Sequence, residues 1–252
     1  MIRMLFNSGL TGPEIVIHGS LLIIVLLFSL SIHEIMHGYA AYRLGDDTAR
    51  LQGRLSLNPL VHLDPFGTIM MLIVGFGWAK PVQVNYSRLT RFKHRDTSIR
   101  IVSLAGVTAN LVLAVVSYFF CMVCLVVGYK SGLLTMASQL GEAAPLSETL
   151  LLVLYFLFYY MYFYNLLLMA FNLLPIPPLD GYHVLETFLP YKWKQIVQGY
   201  ERYATMIFFA LILFGNFSGF SPLGWLITTI EIPFKYIIET PIDSLAEYVM
   251  LL

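Results

Sequence analysis

Charge is scarce in this sequence, and its scarcity excludes an ordinary soluble domain. Only 12% of the 252 residues are charged, 58% are hydrophobic, and the mean hydropathy is +0.74. Soluble domains are typically about a quarter charged. Cysteine is scarce too: Cys121 and Cys124 lie in an apolar stretch and are best interpreted as small buried side chains, so no disulfide framework is expected. No nucleic-acid-binding signature is present, so nucleic acid is not an expected partner.

Four long stretches contain no charged residue. The first lies between Glu14 and His33, and the others cover residues 101–129, 149–179 and 203–230. About 20 apolar residues span a bilayer as a helix. The sequence therefore predicts an all-α membrane protein with about four transmembrane helices, at about 15–43, 101–129, 149–172 and 203–230. We expect one polytopic membrane domain over residues 1–252.

Three further segments have weaker patterns. Residues 65–79 are apolar but too short and too rich in glycine for a full span, so we expect a re-entrant piece that folds back against the bundle. Alternating apolar residues at 55–57 and 82–84 allow a small β element. Apolar residues at helical spacing among scattered acids predict that 231–252 is an interfacial C-terminal segment.

The basic residues are distributed unevenly between the predicted loops. Nine Lys or Arg residues lie between positions 43 and 100, and three more between 190 and 202. Cytoplasmic loops are enriched in Lys and Arg, so both segments are expected in the cytoplasm. The N-terminus lacks the pattern of a cleaved signal peptide. The predicted location is therefore the cell membrane, with a multi-pass topology.

The first span contains His33-Glu34-x-x-His37. On a helix, positions i and i+4 share a face, so both imidazoles can reach one ion, and the glutamate beside them can take a proton from water that the metal activates. At a rise of about 1.5 Å per residue, the motif lies roughly 10–15 Å inside the basic end of the span. Ionisable side chains at that depth are costly and usually functional. The sequence thus predicts a zinc site near the cytoplasmic side.

Two histidines leave a catalytic zinc ion one protein ligand short, because such sites typically have three plus water. Asp180 follows the third charge-free stretch on the same side as His37, and the prolines before it and Gly181 after it can turn the chain back into the bundle. Asp180 could instead cap the following helix. Spacing alone leaves both interpretations open. The rival ligands are His62, Asp64, His183 and Glu186.

Two motifs far apart in the chain form a specific pair. His33-Glu34-x-x-His37 is followed by Asn172-Leu-Leu-Pro-Ile-Pro-Pro-Leu-Asp180-Gly181. Between them stand Asn58-Pro-Leu-Val-His-Leu-Asp-Pro-Phe-Gly-Thr and Ser103-Leu-Ala-Gly-Val-Thr-Ala-Asn110. From about residue 15 to about residue 190, the chain resembles the site-2 protease family of intramembrane zinc metalloproteases, in its small subgroup without PDZ or CBS domains.

The resemblance implies a role for each matching residue. Asp180 would be the third ligand of one Zn²⁺ per chain, and Glu34 the general base. Asn172 would orient the substrate or its oxyanion, while Gly106 and Asn110 would pack and hydrogen-bond near the site. The implied activity is hydrolysis of peptide bonds in transmembrane proteins or peptides, within membrane lipid and near the cytoplasmic side. No oligomeric state is predicted.

Three other functions compete with this interpretation. A zinc transporter would also place His and Asp within spans, but it would need ionisable residues along a crossing path, and the second and fourth spans have none. A catalytically inactive membrane scaffold of the same fold is a second alternative, although Glu34 and all ligands are present. A membrane hydrolase acting on lipid is the third, and only substrate tests separate it.

Overall fold

The computed structural model describes residues 11–74, 77–132, 146–218 and 221–251, and these residues form an all-helical protein. The α-helices are α1 (Gly12–Arg43), α2 (Thr48–Leu51), α3 (Pro65–Val74), α4 (Arg95–Lys130), α5 (Leu146–Asn172), α6 (Asp180–Glu186), α7 (Tyr191–Ser218) and α8 (Pro222–Leu251). Short 3₁₀ helices cover Pro59–Val61 and Tyr86–Arg88.

Among the described residues, three helices are long and apolar enough to cross a membrane: α1, α4 and α5. They coincide with three of the four predicted spans. Helices α1 and α4 run antiparallel, because residue 33 contacts residue 110 and residue 37 contacts residue 102. The core is built mainly between α4 and α5, where Ala114, Leu166 and Met169 are buried together.

The stretch 203–230, for which a fourth span is predicted, is not one continuous helix, and it is not among the candidate membrane spans of the described residues. The structure divides this apolar stretch between α7, which ends at Ser218, and α8, which begins at Pro222. Proline lacks an N–H and favours the first position of a helix. Ser221 supports the new start, since its side-chain oxygen accepts the N–H of Gly224 at 3.0 Å. The length of a charge-free stretch alone therefore does not indicate whether a helix boundary lies within it.

The C-terminal residues, for which an interfacial segment is predicted, belong to a longer helix, and their position relative to a membrane stays a prediction. Residues 231–251 continue α8, which packs against α4 and α5, and Ile238 is buried in their core. The Tyr118 hydroxyl donates to Asp243 at 2.6 Å, and the Tyr162 hydroxyl donates to Glu239 at 2.6 Å. Acids four residues apart share a helix face. The scattered acids of the sequence are thus a polar stripe that faces tyrosines of the bundle.

The chain just before α3 lies beside the chain at residues 77–79. The α3 helix starts after Asp64, and an isolated antiparallel bridge joins Leu63 to Ala79. Gly67 packs on the returning chain so closely that a Cβ there would lie 2.2 Å from the Trp78 carbonyl oxygen. The re-entrant placement of 65–79 stays a prediction. The predicted β element at 55–57 and 82–84 does not form as strands in the described part of the chain, where the isolated bridge joins Leu63 and Ala79 instead.

Candidate metal centre

Helix α1 carries the two histidines one turn apart on a single face. His33 and His37 are buried, with 6% and 8% of their surface exposed. Their rings are perpendicular, and the two Nε2 atoms lie 3.0 Å apart. The i and i+4 spacing of the sequence therefore places both imidazoles at one point, as predicted.

Asp180 joins the histidines from the first turn of α6. Its Oδ2 lies 3.2 Å from the Nε2 atom of both His33 and His37. The helix-capping alternative fails, because Leu179 occupies the N-cap position. Gly181 permits the approach, since a Cβ at this position would lie 2.2 Å from the Leu173 carbonyl oxygen at the end of α5.

The three ligand atoms suit a zinc ion. Zinc–ligand bonds of about 2.0–2.1 Å in tetrahedral geometry separate neighbouring ligand atoms by about 3.3 Å, close to the 3.0 and 3.2 Å observed here. The Oδ2 of Asp180 is buried and faces both Nε2 atoms, so it is placed to be the third ligand atom of a shared metal ion. Burial alone would raise the pKa of this carboxyl, but the two imidazoles facing it hold the pKa well below its usual range.

Gly106 of α4 lies directly against the ligands. A Cβ at this position would come within 2.4 Å of the His37 Nε2 atom and 2.7 Å of the His33 ring. The space beside the ligands exists because residue 106 has no side chain. The sequence placed Gly106 near the site as a packing residue, and the structure confirms that position.

The far side of each imidazole is held by a different kind of group. His37 Nδ1 lies 2.8 Å from the backbone carbonyl oxygen of Val102. His33 Nδ1 lies 2.7 Å from the side-chain Oδ1 of Asn110. Metal-binding histidines are commonly oriented by a second hydrogen bond of this kind. The predicted hydrogen-bonding role of Asn110 is confirmed.

Glu34 is held by the loop that contains Val82. Its Oε2 accepts the backbone N–H of Val82 at 2.8 Å. The loop comes this close because Gly38, one turn further along α1, has no side chain, and a Cβ there would touch Ala49 and a Val82 methyl group within 3.2 Å. The carboxylate predicted to act as a base is therefore fixed by a main-chain donor.

Asn172, the other predicted catalytic residue, ends α5 and is half-buried. Its amide donates to the carbonyl oxygen of Leu168 one turn earlier, at 2.9 Å. This bond lies within its own helix. The role of Asn172 in orienting substrate stays a prediction.

The rival ligands lie elsewhere in the structure. His62 is buried and contacts the Ser56 carbonyl oxygen through Nε2 at 2.9 Å. Asp64 accepts the Gly67 N–H at 2.7 Å at the start of α3. His183 and Glu186 face each other on α6, 4.0 Å apart. In the described ranges, the one group of three or more His, Cys, Asp or Glu side chains able to share an ion is His33, His37 and Asp180.

Two polar residues near the candidate ligands, Asn165 and Ser29, were not predicted from the sequence. Asn165 of α5 accepts the Asn110 side-chain N–H at 2.9 Å and donates to Ser29 Oγ at 2.8 Å. The signal was an asparagine inside a charge-free span, where a polar group needs a partner. The partners lie on two other helices, so their identity required the fold.

Comparison with known proteins identifies similar chains. Residues 21–215 match the family model described as Peptidase family M50. The chain is 40% identical over 204 residues to "Putative zinc metalloprotease YwhC" of Bacillus subtilis, covering 81% of each protein. It is 31% identical over 206 residues to "Putative zinc metalloprotease Rip2" of Mycobacterium tuberculosis, covering 79% of this chain and 70% of that protein. The Rip2 protein of Mycolicibacterium smegmatis is 30% identical over 190 residues, or 74% of this chain and 64% of that protein. No solved structure matches the chain.

Proposed function

Since the chain belongs to peptidase family M50, a family of zinc metalloproteases, we propose that it hydrolyses peptide bonds of transmembrane substrates inside the membrane, near the cytoplasmic side. The observation that carries the proposal is the meeting of the two distant motifs. His33, His37 and Asp180 bring three ligand atoms to within 3.2 Å of one another, with Glu34 beside them on α1.

The residues divide into ligands and a proton carrier. When bound, zinc supplies a Lewis acid that polarises water and the scissile carbonyl. His33, His37 and Asp180 hold it, and two neutral imidazoles with one carboxylate are a donor set that suits zinc. Glu34 takes the proton of the attacking water at its carboxylate and returns it to the leaving amine. The Val82 N–H keeps this carboxylate oriented throughout.

Basic residues at one end of the bundle support the cytoplasmic placement. Arg43 ends α1 and Arg95 begins α4, at the same end as the metal centre. Lys194 of α7 pairs with Asp96 of α4 at 3.2 Å, which adds another cation to this end. By the positive-inside rule, this end faces the cytoplasm. The substrate would be a membrane-embedded protein or peptide that unwinds locally, because helical carbonyls are occupied by their own hydrogen bonds.

The test uses the full chain in liposomes with a set of synthetic single-span peptides that carry helix-weakening residues at different depths. We expect new peptide fragments by mass spectrometry, cut in the half nearest the basic end. Glu34→Gln is the matched variant, because its amide oxygen can still accept the Val82 N–H, and it should bind zinc yet cleave at least about 100-fold more slowly.

Three outcomes would contradict the proposal. Equal cleavage by the Glu34→Gln variant would remove Glu34 from the reaction. Release of fatty acids with intact peptides would indicate a lipid hydrolase. Zinc flux across the liposome that survives Glu34→Gln, without cleavage of any peptide, would indicate a transporter.

A further inference from the structure

The ability of His33 to bind metal depends on which of its ring nitrogens carries the proton. A neutral imidazole has one N–H and one lone pair. Nε2 faces Asp180 and His37, so metal binding through Nε2 requires the proton on Nδ1. Nδ1 contacts Asn110 at 2.7 Å. A side-chain amide can present either its oxygen or its NH₂ group, and only the oxygen selects the required form.

The orientation of Asn110 is determined by its own neighbour. The other end of its amide lies 2.9 Å from the Asn165 amide. Both side chains are fully buried. If Asn165 presents oxygen, Asn110 must present NH₂ toward it and oxygen toward His33. Two oxygens or two NH₂ groups facing each other would leave buried polar groups unsatisfied.

A backbone carbonyl determines the orientation of Asn165. Its second amide atom lies 2.7 Å from the carbonyl oxygen of Met161, one turn earlier in α5. A carbonyl oxygen can only accept, so the atom facing it must be the NH₂ group. Ser29 Oγ, 2.8 Å away, can donate or accept and does not select a direction. Donation therefore runs one way, toward Met161: the His33 Nδ1–H donates to Asn110, the Asn110 NH₂ donates to Asn165, and the Asn165 NH₂ donates to the Met161 carbonyl oxygen.

We propose that Asn165 is a positioning residue that acts through Asn110 to hold the His33 proton on Nδ1 and keep the Nε2 lone pair directed at the metal. The inference rests on the proposed zinc function. His37 needs no such relay, because its Nδ1 faces the Val102 carbonyl oxygen directly. The two histidines thus differ in a way that an experiment can separate.

Zinc affinity, measured by competition with a chelator, is the first test. Asn165→Leu removes the group that orients Asn110, and we expect about tenfold weaker zinc binding, the lower end of the usual effect of losing an outer hydrogen-bond partner. Asn165→Asp should bind zinc within about twofold of the parent, since a protonated carboxyl donates to Met161 and accepts from Asn110. Ser29→Ala should also remain within about twofold.

A double variant separates positioning from general packing. If Asn165 acts through Asn110, then combining Asn110→Leu with Asn165→Leu should weaken zinc binding no more than Asn110→Leu alone. Additive losses in the double variant would overturn the proposal, as would Asn165→Leu binding zinc as tightly as the parent. A parent that binds no zinc would instead refute the proposed function.

Nitrogen NMR of ¹⁵N-histidine-labelled, zinc-loaded protein tests the contact to His33 directly. In the parent, both His33 and His37 should show the proton on Nδ1, which faces Asn110 in one case and the Val102 carbonyl oxygen in the other. In Asn165→Leu, the His33 Nδ1 resonance should shift or broaden while the His37 resonance, the internal control, stays unchanged. A His33 resonance that Asn165→Leu leaves unaltered, or metal bound through His33 Nδ1 in the parent, would overturn the proposal.

Discussion

Replacing Gly106 with alanine adds one methyl group against both histidine ligands. The new carbon would lie 2.4 Å from His37 Nε2, whereas ordinary contacts of this kind begin at 3.4 Å. The ring or α4 would therefore have to move by about 1 Å, and metal–ligand distances in a working site tolerate only about 0.2 Å. Such overpacking typically costs about 1–3 kcal/mol. At about 1.4 kcal/mol per factor of ten, zinc binding should weaken by about 5- to 140-fold.

The assay is chelator competition on purified protein, with melting temperatures recorded with and without zinc. Gly199→Ala in α7 is the matched control, because a Cβ there has nothing within 4 Å. That change should leave zinc affinity unaltered and should not lower the melting temperature, since alanine favours helix over glycine. Zinc binding by Gly106→Ala within twofold of the parent would refute the geometry of the site.

Two further predictions concern Gly181, which lets Asp180 approach the histidines, and Val82, which contacts Glu34. Gly181→Ala would put a methyl group 2.2 Å from the Leu173 carbonyl oxygen, and Asp180 should therefore be displaced. Zinc affinity in the same competition assay should fall by about tenfold or more. Unchanged zinc affinity would contradict this role of Gly181. Val82→Pro removes the N–H that donates to Glu34 and should slow peptide cleavage by about tenfold without changing zinc content. The control Val82→Ala keeps the N–H and should cleave at the parent rate. Equal cleavage rates in the two variants would show that this hydrogen bond does not matter for the reaction.

Two of the three candidate metal ligands are predictable from the sequence because they lie in one local pattern. The His33 and His37 spacing implies one helical face, and helix geometry alone brings the imidazoles together. Asp180 was only one of several third ligands on spacing, and the family resemblance selected it. The structure supplied the physical reason, which is that Gly181 lets α6 begin against the end of α5.

Features that depend on contacts between helices could not be predicted in the same way. Asn165 and Asn110 lie on different helices, and nothing in either local sequence names the other as a partner. The pattern over 231–252 predicts an interfacial segment and gives no sign that Glu239 and Asp243 contact tyrosines of α4 and α5. The helix boundary before Pro222, in contrast, has a local signal in the sequence, because Ser221 and Pro222 are typical of a helix start. The prediction of one span followed instead from the length of the charge-free stretch.

Metal content of the purified protein shows whether the two distant motifs form one zinc site, with the parent compared with Asp180→Ala and His37→Ala. We expect close to one zinc ion per chain in the parent, the stoichiometry of a single three-ligand site, and a sharp reduction in both variants. Zinc retained by Asp180→Ala but lost from His37→Ala would contradict the joining of the two motifs into one site. A parent without zinc under metal-replete conditions would contradict the metal centre itself.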